Sequence, residues 1–324
     1  MPFIFYRCSD YKNNFLHLNT NEEGSLRCRK LDLYRSMVTV GNPSFISKQK
    51  IKEYGLARAI YGSVIEKVGL VYENIESNLN GMRLHPIYHT HVSDKKRIVS
   101  YNLGMAFAKY YAEKLMGVPR LIHVESLKTH GAIEFTEPEE GRGREPDLVG
   151  RCVNGDWHVF EAKGMSVNQI NAKLLNAKEQ VERVKAVDGV APETLNACAT
   201  YFNNERIFTH LVDPESKGDK RYKINSRKFI DSAYKSIFLI ESALDRKLEL
   251  TIEDGLRYYS VNVETKGVNL KIGIEEEVHD LLKQEEFELI PEVSRSRTLQ
   301  EIDSLPDTNI SIGMDGVVVK YRDY

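Results

Sequence analysis

Four cysteines are scattered through 324 residues, Cys8, Cys28, Cys152 and Cys198, and no two of them stand at CxxC spacing. That rules against a disulfide framework and a cysteine zinc site, and the four read as reduced thiols of a cytoplasmic chain. No apolar run approaches the roughly 18 residues that a membrane helix needs, so no membrane partner is expected. The opening residues, MPFIFYRCSDYKNN, lack a basic leader and a sustained apolar stretch, so no secretory signal is expected. Charge of one sign is also missing: 45 Lys and Arg against 47 Asp and Glu leave a formal net charge of -2. A global field that would draw in a polyanion is thereby excluded, and any nucleic-acid contact has to use local basic patches. No internal repeat is present.

What is present is an ordinary globular composition, 41% hydrophobic and 28% charged, long enough for one large domain or two of common size. Residues 1–45 read as short strands and turns. Residues 47–79 carry apolar residues at spacings of three and four, which predicts helix. Gly55, Gly62 and Gly69 recur on it every seven residues, which predicts either close approach of a second helix or breaks between shorter ones. A loop with His85, His89 and His91 precedes a helix over about 100–116, capped by Ser100 and stopped by Gly117 and Pro119. Residues 120–127 read as a strand. A helix after Ser166 carries Val167, Ile170, Leu174, Ala177, Val181 and Val184 on one stripe. Strands follow at 195–202 and 206–212, a helix at 225–245, and a three-stranded meander turning at Asp254-Gly255 and Lys266-Gly267. A short helix at 275–285 and a last strand, DGVVVKY, close the pattern. Three regions result, 1–98, 99–214 and 215–324, in a mixed α/β (α+β) chain.

The segment GREPDLVGRCVNGDWHVFEAKG, residues 143–164, sets two apolar strands around Asn154-Gly155, a strong hairpin signal. Side chains alternate along a strand, so Glu161 and Lys163 share a face and Ala162 takes the other. A two-residue loop would pair Asp147 with Ala162. A three-residue loop, or a bulge, pairs Asp147 with Lys163 and Val149 with Glu161, and gathers all three polar groups on one face. Apolar residues populate both faces of both strands, so charges here are costly unless paired or metal-bound. The plain alternative is a surface hairpin with an Asp147–Lys163 salt bridge. Two adjacent carboxylates and a lysine suit a hard divalent cation, an activated water and a phosphoryl oxygen.

Pro146-Asp147 followed across a hairpin by Glu161-Ala162-Lys163 resembles the active-site signature of the PD-(D/E)XK nuclease superfamily. The order helix, three strands, helix, strand over about 100 residues resembles its restriction-endonuclease-like core, here with N-terminal helical and C-terminal meander extensions. The resemblance implies a mixed sheet flanked by helices, and Mg²⁺ (or Mn²⁺ in its place) on Asp147 and Glu161. It implies Lys163 as the water-positioning group and Gln180 as an assisting residue on the next helix. It also implies an acid on the first core helix, for which Glu113 is the candidate and Glu125 and Glu134 are rivals. The expected activity is endonucleolytic hydrolysis of DNA in bacterial restriction or anti-phage defence, by a homodimer or within a protein complex. The rival expectations are a non-cutting nuclease-fold subunit that binds nucleic acid or protein, and an RNA nuclease.

Arg142, Arg144 and Lys173 are the expected nucleic-acid contacts. The basic run 217–228, KGDKRYKINSRK, reads as either a phosphate-tracking strip or a solvated face. The three loop histidines read as solvated rather than metal-ligating. Trp157, the only tryptophan, reads as core, and His158 falls on the face away from Glu161.

Overall fold

The computed structural model describes residues 2–19, 22–40, 55–78, 81–135, 145–166, 169–202, 205–243, 248–253, 255–265, 267–296 and 309–321. In chain order the elements begin with β1 (Phe3–Ser9), β2 (Gly24–Arg27), α1 (Lys30–Thr39), α2 (Leu56–Asn74), β3 (Ile75–Asn78) and β4 (Gly81–Leu84). There follow α3 (Ser93–Met116), β5 (Arg120–His123), α4 (Val124–Thr129), β6 (Ile133–Phe135), β7 (Leu148–Arg151), β8 (Trp157–Met165), α5 (Ile170–Val181) and β9 (Val184–Val187). Next are β10 (Thr194–Phe202), β11 (Ile207–Val212), β12 (Lys220–Ile224), α6 (Ser226–Ala243), β13 (Glu249–Glu253), β14 (Leu256–Thr265) and β15 (Val268–Glu275). The last are α7 (Glu276–Lys283), α8 (Ile290–Ser296), β16 (Ile310–Ile312) and β17 (Val317–Tyr321).

The central sheet has seven strands in the order β2-β1-β11-β10-β8-β7-β5. Within it β5, β7 and β8 run antiparallel in turn, and β10 lies parallel to β8. A parallel neighbour needs a crossover, and α5 supplies it. The chain is therefore mixed α/β, and no described helix is long and apolar enough to cross a membrane. The meander forms a second sheet, β13-β14-β15-β17-β16, with its turns at the two expected places.

Alternation along β8 sorts its residues onto two cores. Phe160 and Ala162 join the core that contains α1 and α3, with Cys8, Leu121, Leu148 and Cys198. Trp157, Val159 and Met165 join the core under α5 and α6, with Ile122, Val149, Ala197 and Ala199. The first core runs from Ile4 to Val319, so it draws on all three predicted regions. α3 reaches the sheet where two glycines meet. A Cβ at Gly104 would lie 2.8 Å from the Gly164 nitrogen, and one at Gly164 would lie 1.8 Å from the Ser100 oxygen. Only hydrogen at both positions permits that approach.

Several boundaries differ from expectation. α3 begins at Ser93, and Ser100 is no cap but a buried mid-helix residue whose hydroxyl meets Tyr88 at 3.0 Å. Its stop at Gly117 is as expected, with φ 61° in the left-handed region. The strand expected to run to residue 127 ends at His123, whose side chain caps α4 by accepting the Glu125 N–H. α5 ends at Val181, and Val184 belongs to β9. Residues 30–39, expected as strands and turns, are helical. A Cβ at Gly69 would meet nothing within 4 Å, so close helix approach is not its reason.

Candidate active site

The β7–β8 ribbon is closed by the Cys152 N–H on the Asp156 carbonyl at 2.9 Å, and the Gly155 N–H on the Cys152 carbonyl at 3.0 Å. Leu148 pairs with Phe160 and Arg151 with Trp157. Five residues separate the paired strands, so the connection is odd in length and the same-face requirement is met. The register itself is offset by two from the expected one: Val149 faces Val159, and continuing the ladder sets Asp147 opposite Glu161 instead of Lys163.

Asp147 and Glu161 bind each other through backbone groups. The Asp147 N–H donates to Glu161 Oε2 at 2.9 Å, and the Ala162 N–H donates to Asp147 Oδ2 at 3.1 Å. Lys163 Nζ donates to Glu161 Oε1. Glu161 is 0% exposed. Burial, then the neighbouring Asp147 charge, push its pKa up to about 8 against the pull of Lys163. A buried acid beside a like charge behaves this way. Glu161 and Lys163 point to the face under α5, opposite the face on which α3 packs.

Further groups bear on this spot: Tyr101 and His123, which no sequence motif marks, and Tyr222 and Lys220 of the basic run. Tyr101 on α3 has its hydroxyl 3.0 Å from His123 Nε2. Burial and then the charges of Asp147 and Glu161 raise its pKa. His123 accepts the Glu125 N–H on Nδ1, so its proton sits on Nε2 and points at the Tyr101 oxygen. Burial, reinforced by Lys67, lowers the His123 pKa to about 4 and keeps the ring neutral. Tyr222 on β12 donates to Glu145 at 2.7 Å, and burial, Glu145 and Glu161 raise its pKa. Lys220 pairs with the same Glu145 at 3.1 Å.

Glu113 has to be removed from the expected metal set. It lies 12 residues beyond Tyr101 on α3, about 18 Å along the helix axis. Its oxygens are taken by the Arg35 guanidinium at 2.8 and 2.9 Å and by Lys109 at 3.3 Å. Burial raises its pKa, but Arg35 and Lys109 outweigh that and hold it at about 2. Glu125 is an exposed residue of α4, and Glu134 an exposed residue of β6. Gln180 is buried on α5 and donates to its own helix at the Asn176 carbonyl, 3.2 Å away. Lys173 is exposed on the same helix. Arg142 and Arg144 lie outside the described residues.

Of the basic run, Lys217 pairs with Glu182, Lys220 with Glu145 and Arg227 with Glu285. His85 caps a 3-10 turn through Nδ1, and His91 Nε2 meets Asn74 Oδ1 at 3.0 Å. Among the described residues no group of three or more His, Cys, Asp or Glu is placed to hold a metal ion. His158 lies on the face away from Glu161, buried against Thr194 at 2.8 Å. Trp157 is buried in the core under α5 and α6.

No family model matches the chain, and no curated protein or solved structure matches it either. The carboxylate pair therefore has to be read from its own chemistry.

Proposed function

We propose that the chain is a divalent-metal-dependent nuclease that hydrolyses DNA phosphodiester bonds, with Asp147, Glu161 and Lys163 at its centre. The observation that carries this reading is the pairing of buried Glu161 with half-buried Asp147, with Lys163 on the same face. Burial and a neighbouring carboxylate together raise the pKa of an acid, as at Glu161. A dication beside the two carboxylates offsets both charges. Mg²⁺ uses one or two protein carboxylates and completes its shell with water and phosphate oxygens, so a two-acid set is sufficient for it. The donor chemistry fits, and Asp147 and Glu161 would hold the ion. Bound there, the metal supplies an acidified water and charge stabilisation at phosphorus.

The chain's own residues do the rest. Lys163 gives a cationic donor beside Glu161, suited to orient a water or to meet a phosphate oxygen. The Asp147 N–H fixes the Glu161 carboxylate, and the Ala162 N–H fixes Asp147, so both acids are held before substrate arrives. Support for a restriction-endonuclease-like core comes from α3, β5, β7, β8, α5 and β10 in that chain order, with β5-β7-β8-β10 adjacent in the sheet. Gln180, on the helix that covers the same face, is proposed as a secondary positioning residue.

The test is cleavage of supercoiled plasmid, single-stranded DNA and RNA by wild type and Lys163→Ala with Mg²⁺, Mn²⁺ or EDTA. Metal-dependent nicking of plasmid that is lost in Lys163→Ala and in EDTA is the expected outcome. Equal cleavage by both proteins removes the proposal. A non-cutting reading draws on one observation, the absence of a third metal-placed acid among the described residues. Binding of DNA by wild type without cleavage in either metal would favour it.

A further inference from the structure

At the other end of the β7–β8 ribbon, the turn, the start of β5, the first turn of α6 and α8 enclose a cavity of about 400 Å³. Trp157 at its wall and Glu161 are four residues apart on β8, about 13 Å, so this is a separate place from the carboxylate pair. Arg120, Arg151, Arg227 and Arg295 line it, and Glu288 is the one carboxylate among its lining residues.

Arg120 is the decisive residue. It is 5% exposed, and a buried guanidinium is costly without a counter-charge. Its Nη1 donates to the Tyr234 hydroxyl at 3.1 Å and to the Ser294 hydroxyl at 2.8 Å, both neutral. No described carboxylate pairs with it. Arg151 and Arg295 stand exposed at the rim, and their Nε groups donate to neutral acceptors, the carbonyls of Gly155 at 2.7 Å and Val153 at 2.9 Å. Each keeps terminal N–H groups without an acid. Arg227 is paired with Glu285. It also opens α6, an 18-residue helix whose positive end lines the cavity.

Part of the remaining wall is aromatic: Trp157, Phe229 and Phe287. Phe229 stands edge-on to Trp157 with ring centroids 5.4 Å apart, and Phe287 also lines the cavity, with the Arg227 guanidinium over its ring. Fixed guanidiniums call for a phosphate, and apolar ring surface beside them calls for a flat heterocycle. The volume falls in the range of small-ligand sites and exceeds what an inorganic anion fills.

We propose that this cavity binds a nucleotide, its phosphate on Arg120, Arg151 and Arg295 and its base against Phe229 and Phe287.

The experiment is calorimetric titration of the full chain in EDTA with AMP, GMP, UMP, ATP, inorganic phosphate and a short DNA oligonucleotide. Arg120→Gln and the double variant Arg151→Glu with Arg295→Glu are run beside wild type. The double variant changes two exposed residues, so it remains informative where Arg120→Gln fails to fold. At least one nucleotide is expected to bind wild type saturably, with Kd of about 1 mM or tighter, and at least about tenfold more weakly to the double variant. Inorganic phosphate is expected to bind more weakly than that nucleotide. The proposal is overturned by any of four results. These are no saturation with any nucleotide at about 10 mM, equal affinity in the double variant, phosphate binding as tightly as the nucleotides, and binding of the oligonucleotide alone.

Discussion

Glu113 and Glu161 are both fully buried glutamates, and the same sheet separates them. One is held at about 2 and the other is pushed to about 8. Burial acts upward on both. The difference lies in the neighbours. Glu113 sits among Arg35 and Lys109, with Asp315 within 3.7 Å of Arg35 and 3.5 Å of Lys109, and the charges nearly cancel. Glu161 faces a second carboxylate, whose charge raises its pKa against the pull of Lys163. A satisfied buried charge cluster ties elements together; here it joins α1, α3 and the loop before β17. An unsatisfied one is a place where a cation is wanted. The contrast teaches that burial and residue type alone do not distinguish a structural acid from a metal-binding one.

The strongest way to break the comparison is at the active pair. Lys163→Ala and Glu161→Gln are each expected to lower metal-dependent plasmid cleavage by about 1,000-fold, while Glu113→Gln leaves the metal requirement unchanged. Initial rates of nicking on gels read this directly. Retained cleavage in Glu161→Gln would place the chemistry elsewhere.

Next in size is the stability of the structural cluster. Glu113→Ala leaves Arg35 and Lys109 facing Asp315 alone, and breaking a buried pair from one side costs about 3 kcal/mol or more. Urea denaturation should show a loss of that order. Glu161→Gln, measured without metal at pH 8, should show a gain instead, since it removes one of two repelling charges. A loss in Glu161→Gln comparable to that in Glu113→Ala would erase the distinction drawn between them.

The ribbon was legible because its information is local: alternation, an Asn-Gly turn and an acid at each end fix which faces agree. The exact register was not, because the turn closes through Cys152 and Asp156, and the sequence does not say which residues will bond across it. Glu113 was misread for a different reason. Its partners Arg35 and Asp315 are distant in sequence, and nothing near residue 113 announces them. Tyr101 and His123 were missed likewise, since their neighbourhood exists only after α3 docks at Gly104 and Gly164. The short α4 was hidden because apolar residues 120–127 suit a strand, and only the His123 cap turns the chain.

The two acids should also differ in how pH acts on them. Glu113 has its folded pKa below the ordinary value near 4.5, so its stabilisation is present above about pH 4.5 and is lost toward pH 2. Glu161 has its folded pKa above that value, so its contribution is present below about pH 4.5 and is lost as pH rises through about 8. Metal-free wild type should therefore lose more than about 1 kcal/mol relative to Glu161→Gln between pH 5 and pH 9. Mg²⁺ affinity should rise over the same interval, because the metal competes with a proton. Parallel pH curves for wild type and Glu161→Gln would show that the acid is already ionised at neutral pH.

The smallest effect is expected at Tyr101, and it tests whether the α3 side of the site takes part. His123 donates its Nε2 proton to the Tyr101 oxygen, and the charges of Asp147 and Glu161 reach the phenol and raise its pKa. Tyr101→Phe keeps the ring and removes the hydroxyl. The cost to cleavage should be about fivefold, within the range of one lost hydrogen bond, with thermal stability little changed. A Tyr101→Phe variant with wild-type cleavage would confine Tyr101 to packing against His123, and leave the carboxylate pair to the β7–β8 ribbon alone.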